Sequence, residues 1–251
     1  MTDFHKKRLD VILTERGFAP SRSKAQALIA GGKVFLGDQA LTKPSELIGP
    51  DAALELRGVD ESFASRGGLK LDAAIKHFKI DCKDKICIDV GASTGGFTDV
   101  LLHHGAAHVL AIDVGEGQLI ERLRNDDRVT MLEKTNIRHI TPDQLPSSFE
   151  EFQIIVCDVS FISVIKALPA LLQVAPKDCV LIALIKPQFE VGAGKVGKGG
   201  IVKDPAEHAR VCGEIEQWLR NDMGWQVSGI IDSPIEGQDG NKEFLICAKR
   251  I

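Results

Sequence analysis

Lys85-Ile86-Cys87-Ile88-Asp89-Val90-Gly91-Ala92-Ser93-Thr94-Gly95-Gly96-Phe97-Thr98 is the stretch on which the fold turns. An apolar run of strand length stops at a turn holding three glycines, and a helical pattern follows over 98–104. This is how an α/β sheet opens, with ligands bound at the carboxyl ends of its strands. Gly91, Gly95 and Gly96 let backbone approach a ligand closely. Ser93 stands where a GxGxxG dinucleotide fingerprint needs its second glycine, which disfavours a pyrophosphate-binding turn. A glycine turn that merely reverses the chain fits the same residues.

Working outward, strands are expected at 108–113, 129–132, 154–158 and 180–185, with helices near 118–125 and 162–172 between them. A further helix carries Cys212, Ile215, Trp218 and Leu219 on one stripe and precedes strands at 226–231 and 244–248. Such alternation predicts an α/β fold: a doubly wound, mainly parallel Rossmann-like sheet with helices on both faces. Asp113 ends the second strand, where a carboxylate can accept both hydroxyls of a ribose. Glycine loop plus acidic strand end, without a phosphate signature, suits a nucleoside ligand lacking phosphates, and S-adenosylmethionine is the commonest such cofactor.

The whole chain has 251 residues, 31 Lys and Arg against 35 Asp and Glu, a net charge of −4 and 44% hydrophobic residues. That composition can repay the entropy of ordering, which excludes a disordered chain, and the length allows one large domain with a small appendage. The apolar run at 180–185 is far short of the roughly 20 residues of a membrane span. The first eight residues carry charge with no apolar stretch after them, so no secretory signal is read and a cytoplasmic protein is expected. Six cysteines never approach CxxC spacing and read as buried free thiols. Seven histidines form no HExxH pair, read as surface or strand-edge residues, and imply no metal. Tyrosine is absent, so an aromatic base-stacking sheet is a poor way for this chain to hold RNA.

Charge is unevenly spread. Residues 1–43 carry eight basic and four acidic side chains, a net of +4, which leaves −8 for the remainder. Within them, Leu9, Ile12 and Leu13 repeat at helical spacing, Gly17 can end that helix, and Ser21 can cap a second helix reaching Ala30. Gly31-Gly32 break it, and short strands follow around Gly37-Asp38. Arg22 and Lys24 open the second helix, at the positive end of its dipole, and have the means to contact phosphate. A solvated basic face on a small cap domain accounts for the same charge.

Residues 192–199 match GxxxxGK, but Gly199 replaces the Ser or Thr of a P-loop and no strand leads into it. Residues 191–203 are read as a mobile glycine-lysine loop whose Lys195, Lys198 and Lys203 either close over a phosphate backbone or simply face solvent. Four ionisable residues sit at other strand or helix ends: Asp158, Lys186, Glu243 and Lys70. Each alone reads as a cap or surface charge. Convergence of all four on one rim would mark a site.

Ser65-Arg66-Gly67-Gly68-Leu69-Lys70-Leu71, the glycine turn 89–98, Ala111-Ile112-Asp113-Val114-Gly115, Asp158-Val159-Ser160-Phe161-Ile162-Ser163 and Ile185-Lys186-Pro187-Gln188-Phe189-Glu190 together resemble the hemolysin A family. Arg8-Leu9-Asp10, Ser21-Arg22-Ser23-Lys24-Ala25, Ile29-Ala30-Gly31-Gly32-Lys33-Val34 and Lys43-Pro44 resemble the S-four-type RNA-binding module that this family joins to a methyltransferase domain similar to the heat-shock-type ribosomal RNA 2′-O-methyltransferases. The resemblance implies S-adenosylmethionine-dependent methylation of ribose 2′-hydroxyls, with ribosomal RNA or ribosomal subunits as partners and neither membrane nor metal. It implies an S-four-type domain over 1–56, a linker over 57–64 and a methyltransferase domain over 65–251.

By the same resemblance a catalytic Lys-Asp-Lys-Glu tetrad falls on Lys70, Asp158, Lys186 and Glu243. The cofactor falls on Asp89, Gly91, Ala92, Ser93, Thr94, Gly95, Gly96, Phe97, Asp113 and Val114. RNA contacts fall on Arg8, Arg22, Lys24, Lys33, Arg66, Lys195 and Lys198. A ribose hydroxyl is a poor nucleophile until a positioned base takes its proton. Lys186 is expected to be that base, with Lys70 favouring its neutral form and helping to hold the ribose, while Asp158 and Glu243 orient the lysines. A membrane-damaging hemolysin and a non-catalytic RNA-binding protein with a vestigial methyltransferase fold are the other classes to be tested.

Overall fold

A computed structural model describes residues 6–16, 18–19, 21–50, 52–57, 63–192, 194–237 and 240–251. Two units divide the chain, Met1–Glu61 and Ser62–Ile251, each with its own core.

In the first unit β1 (Lys7–Arg8) leads into α1 (Leu9–Glu15), and α2 (Arg22–Ala30), β2 (Val34–Leu36), β3 (Gln39–Leu41), β4 (Leu47–Ile48) and β5 (Leu54–Leu56) follow. The i, i+3, i+4 set Leu9, Ile12, Leu13 is buried against Ala25 and Ile29 of α2 and against Val34 and Leu41, which gives the unit its core. Ser21 Oγ accepts the Lys24 N–H at 3.3 Å and so caps α2. Gly32, at φ +64°, takes the left-handed turn that a side chain would resist. The expected cap at Gly17 lies outside the described residues. β2 is central, antiparallel to both β3 and β5, and β1 pairs separately with β4.

The second unit runs α3 (Gly67–Phe78), β6 (Ile86–Val90), α4 (Gly96–His103), β7 (His108–Ile112), α5 (Glu121–Arg124), β8 (Val129–Leu132), β9 (Ile154–Cys157), α6 (Val164–Ala167), α7 (Pro169–Val174), β10 (Val180–Ile185), α8 (Pro187–Glu190), α9 (Pro205–Gln217), β11 (Trp225–Asp232) and β12 (Phe244–Arg250). Seven strands form one sheet in the order β11-β12-β10-β9-β6-β7-β8. The five from β10 to β8 are parallel, and β12 and β11 join antiparallel at the other edge. β10 shows why its sequence is apolar throughout. Leu181, Ala183 and Ile185 enter the core shared with α7 and α9, and Ile182 and Leu184 enter the opposite core with Leu71, Ile75, Val100 and Leu101 of α3 and α4.

Helix lengths depart from the sequence expectation. The segment expected to be helical over 118–125 is helical only in α5, because Ile120 just before it is extended (φ −62°, ψ 149°). The segment 162–172 divides into α6 and α7 at Pro169, which lacks the N–H that a continuous helix needs. After α9 the chain widens into a π turn at Trp218–Asp222.

Two readings of single residue types need correction or detail. His208 is buried, not at the surface, with Nε2 2.8 Å from the Val202 carbonyl, and His104 is half-buried against Asp72. The cysteines are free, five buried and Cys212 partly so; burial pushes the thiols of Cys82 and Cys247 up to about 11. At the end of the first unit Arg57 N–H donates to the Lys33 carbonyl and its guanidinium lies over Phe35, and at the start of the second unit Ala64 N–H donates to Asp99 and Phe63 packs against that unit's own core. Residues 58–62, within the expected linker, lie outside the described residues.

Candidate active site

The glycine turn leaves the carboxyl end of β6 beside the end of β7, and Gly91 and Ala92 N–H both donate to the Ile112 carbonyl (2.8 and 3.2 Å). Gly91 sits at φ +82°, and a Cβ there would stand 2.6 Å from the main-chain oxygen of Asp158. Gly95 sits at φ +99°, with Leu123 filling the space a Cβ would need. Gly91→Ala is therefore expected to cost at least 1–2 kcal/mol for the left-handed backbone alone, on the order of magnitude set by Cβ crowding, and thermal denaturation measures it. Asp113 braces the loop: Oδ2 accepts the Ser93 N–H at 2.8 Å and Oδ1 the Gly115 N–H at 2.7 Å. A carboxylate has about four acceptor positions, so half remain for ligand hydroxyls. Val114, next in the chain, is 69% exposed and offers apolar surface at the same strand end.

Asp89 lies fully buried beneath this turn. Its Oδ2 accepts from Thr98 Oγ at 2.7 Å, and Oδ1 has no hydrogen-bond partner among the described residues. Burial pushes the carboxyl up to about 7, partly offset by the Thr98 hydrogen bond.

The tetrad residues come together by sheet register. Ala183 pairs with Cys157 across β10 and β9, and Ile185 with Phe244 across β10 and β12. Asp158, Lys186 and Glu243 therefore occupy adjacent positions on one rim. α3 supplies the fourth residue: its first residue, Gly67, is so placed that a Cβ would lie 3.7 Å from Asp158 Oδ2, and Lys70 follows one turn on. Lys70 Nζ donates to Glu243 Oε2 at 2.5 Å, both side chains being over nine-tenths buried. Lys186 Nζ lies 2.5 Å from Asp158 Oδ1 in an ion pair without hydrogen-bond alignment, and donates to Ser160 Oγ at 2.9 Å. Each lysine thus has its own carboxylate.

A model of the FtsJ-like methyltransferase family matches residues 63–250, and a model of the S4 domain matches residues 7–54. The chain belongs to the FtsJ-like methyltransferase family. Among curated relatives, the 16S/23S rRNA (cytidine-2′-O)-methyltransferase TlyA of Mycobacterium tuberculosis is 43% identical over 96% of this chain and 89% of that one. Hemolysin A of Brachyspira hyodysenteriae is 40% identical over 95% and 98% of the two chains, so the resemblance to the hemolysin A family holds. Of solved structures, a Streptococcus thermophilus protein assigned as a hemolysin covers 98% of this chain, and is itself covered to 89%, at 38% identity with a TM-score of 0.77. A SAM-dependent methyltransferase of Aquifex aeolicus, 19% identical, shares the fold at a TM-score of 0.52 over 76% of this chain and 95% of that one.

The glycine turn of this methyltransferase fits S-adenosylmethionine in its donor and acceptor set. It has close-approach glycines, a braced strand-end carboxylate, an exposed apolar neighbour and one orphaned buried carboxylate oxygen on Asp89. Asp89→Asn tests that orphan. With its carboxyl near pH 7 when folded and near 4 when unfolded, wild type loses stability as pH rises from about 4 to about 7 and holds that loss above. Asn removes the titration, so the variant is expected to be more stable by a few kcal/mol above pH 7, equal near pH 4, and weaker in S-adenosylmethionine binding. Denaturation and calorimetric titration across this range check both halves.

Of the residues expected to meet RNA, Arg8 and Arg22 converge on Asp10 of the S4 unit, Lys24 is exposed in the first turn of α2, and Lys33 is half-buried at the entry to β2. In the methyltransferase unit Arg66 reaches the Glu236 carbonyl at 3.5 Å and Lys195 pairs with Glu207 at 2.9 Å. The Lys198 side chain lies outside what the structure describes. The loop expected to be mobile is tied down in its second half. Asn241, buried, accepts the Val202 N–H at 3.0 Å and donates to the Gly200 carbonyl at 2.9 Å, while His208 holds Val202.

Sequence reasoning passed over Ser160, Asn241 and Phe161, although each lies within a quoted run or beside Glu243. Phe161 is 90% exposed, adopts φ +65°, and sets its ring 5.2 Å from that of Phe189, beside the Lys186 pair in sequence on both sides. A bulky residue held exposed in the left-handed region is the kind of strain that marks a working surface.

Proposed function

We propose that this methyltransferase transfers the methyl group of S-adenosylmethionine to a ribose 2′-hydroxyl of ribosomal RNA. The observation that carries the reading is the pair of buried or nearly buried lysine–carboxylate contacts, Lys70–Glu243 and Lys186–Asp158, at the strand ends next to the glycine turn. The S4 unit and the ribosomal RNA methyltransferase relatives support the choice of acceptor.

S-adenosylmethionine, when bound, supplies an electrophilic methyl group that needs no metal to activate it. Asp89, residues Gly91 to Phe97, Asp113 and Val114 would hold it. The residues on the rim have the proton to manage. Lys186, in its neutral form, takes the 2′-hydroxyl proton onto Nζ as the oxygen attacks, and Asp158 stabilises the ammonium so formed. Ser160 fixes the direction of Nζ. Lys70, held by Glu243, donates to the ribose. The Phe161 ring offers an exposed stacking face for an unpaired base.

The test is transfer of labelled methyl from S-adenosylmethionine to separately purified small and large ribosomal subunits. Incorporation into RNA of either subunit is expected. RNA binding without incorporation would replace this reading with a vestigial enzyme. Membrane lysis without incorporation would replace it with a hemolysin; among the described residues, no helix is long and apolar enough to cross a membrane.

A further inference from the structure

Among the described residues of the first unit Asp10 is the most completely buried ionisable group, yet it stands at the beginning of α1 between two arginines expected to contact RNA. Arg8 grips it bidentately, Nε to Oδ1 and Nη2 to Oδ2, both at 3.0 Å. Arg22 Nη2 reaches Oδ2 at 3.1 Å from the first residue of α2, and Gln26 Nε2 reaches the same oxygen at 2.8 Å from one turn further on. The backbone is fixed as well: Asp10 N–H donates to the Pro44 carbonyl, and its own carbonyl accepts from Thr14 Oγ.

The carboxylate is wholly buried, whereas the Arg8 and Arg22 side chains remain 44% and 57% exposed. Each guanidinium has five N–H donors and spends only one or two on Asp10, so the outer edges of both stay available. Lys24, on the same first turn of α2, adds a third exposed cation, and that turn has no acidic residue. The Arg8 guanidinium holds the Asp10 carboxyl well below the usual carboxylate range, so the anchor is charged at neutral pH.

We infer that Asp10 is a positioning residue for RNA binding: it holds Arg8 and Arg22 side by side as a preformed clamp for the phosphate backbone. This rests on the RNA reading given above. Its physical content is entropic. A free surface arginine loses its rotamer freedom when it grips a phosphate, whereas these two have lost it already on folding. The alternative, a basic surface that attracts RNA by charge alone, predicts the opposite sign when Asp10 is neutralised, because the surface then gains one positive charge.

Asp10→Asn keeps the volume and removes the anchor's charge. The full chain would be titrated against purified ribosomal subunits over a series of salt concentrations, together with Arg8→Gln/Arg22→Gln and the triple variant. The clamp predicts that Asp10→Asn weakens binding about tenfold, from about two- to tenfold per released arginine, despite the added charge. It also predicts no further loss when Asp10→Asn is added to the double arginine variant, since coupled residues are not additive. Binding unchanged or tighter in Asp10→Asn overturns the clamp. Equal loss with and without the arginines also overturns it, because Asp10 would then only hold the unit folded. If wild type itself fails to bind either subunit, the RNA reading falls first, and the clamp with it.

Discussion

Lys186→Ala is expected to lower single-turnover methyl transfer to ribosomal RNA by about 10²- to 10⁴-fold, the range for loss of a positioned general base. Binding of S-adenosylmethionine should be unaffected, because Lys186 belongs to the β10 end and to the Asp158 pair and not to the glycine turn. Lys186→Arg separates a base from a fixed charge. Arginine keeps the ion pair with Asp158 but does not give up its proton in proteins. It should be nearly as inactive as alanine if Lys186 takes the proton, and substantially active if Lys186 serves only to attract RNA. Ser160, the hydroxyl that accepts from Lys186 Nζ, gives a graded companion: its loss should reduce turnover less, since the Asp158 pair survives.

Removal of residues 1–56 carries the second large effect. The first unit has a separate core, and residues 1–43 within it carry a net +4, whereas the glycine turn, both lysine–carboxylate pairs and their supporting cores lie in the second unit. The shortened chain should bind S-adenosylmethionine as the full chain does and lose most of its affinity for ribosomal RNA. Its salt dependence should flatten by about 0.7 in the log–log slope for each single-strand phosphate contact removed. RNA binding that persists with an unchanged slope would show that the charge asymmetry is only a solvated face.

The central strands were legible because they are largely apolar, and β10, apolar throughout, needs such residues on both sides to fill two cores. The glycine turn was legible because no other residue fits φ +82° against the Asp158 carbonyl. The short helices were not. Pro169 divides one, and the extended Ile120 trims the other, and both effects are local exceptions inside a helical pattern. Which residues would share a rim could be suspected from strand ends, but the pairing could not be read. Lys70 meets Glu243 across 173 positions of chain, and the choice of one carboxylate per lysine is made by sheet register together with the placement of α3. The Asp10 anchor was hidden for the same reason: burial of a charged residue is a property of the packed unit, and three donors from two elements meet there only after folding. Whole-chain charge pointed away from RNA, since −4 is the sum of +4 over residues 1–43 and −8 over the rest of the chain.

In the proposed reaction the acceptor is a ribose hydroxyl whose proton Lys186 removes. Alkaline hydrolysis tests it most directly, because RNA cleaves in alkali through its free 2′-hydroxyl. Ribosomal RNA labelled by the wild-type enzyme from methyl-labelled S-adenosylmethionine should release its label in alkali-resistant dinucleotides, and Lys186→Ala should release none. Label recovered in ordinary mononucleotides would place the methyl group on a base and contradict the account.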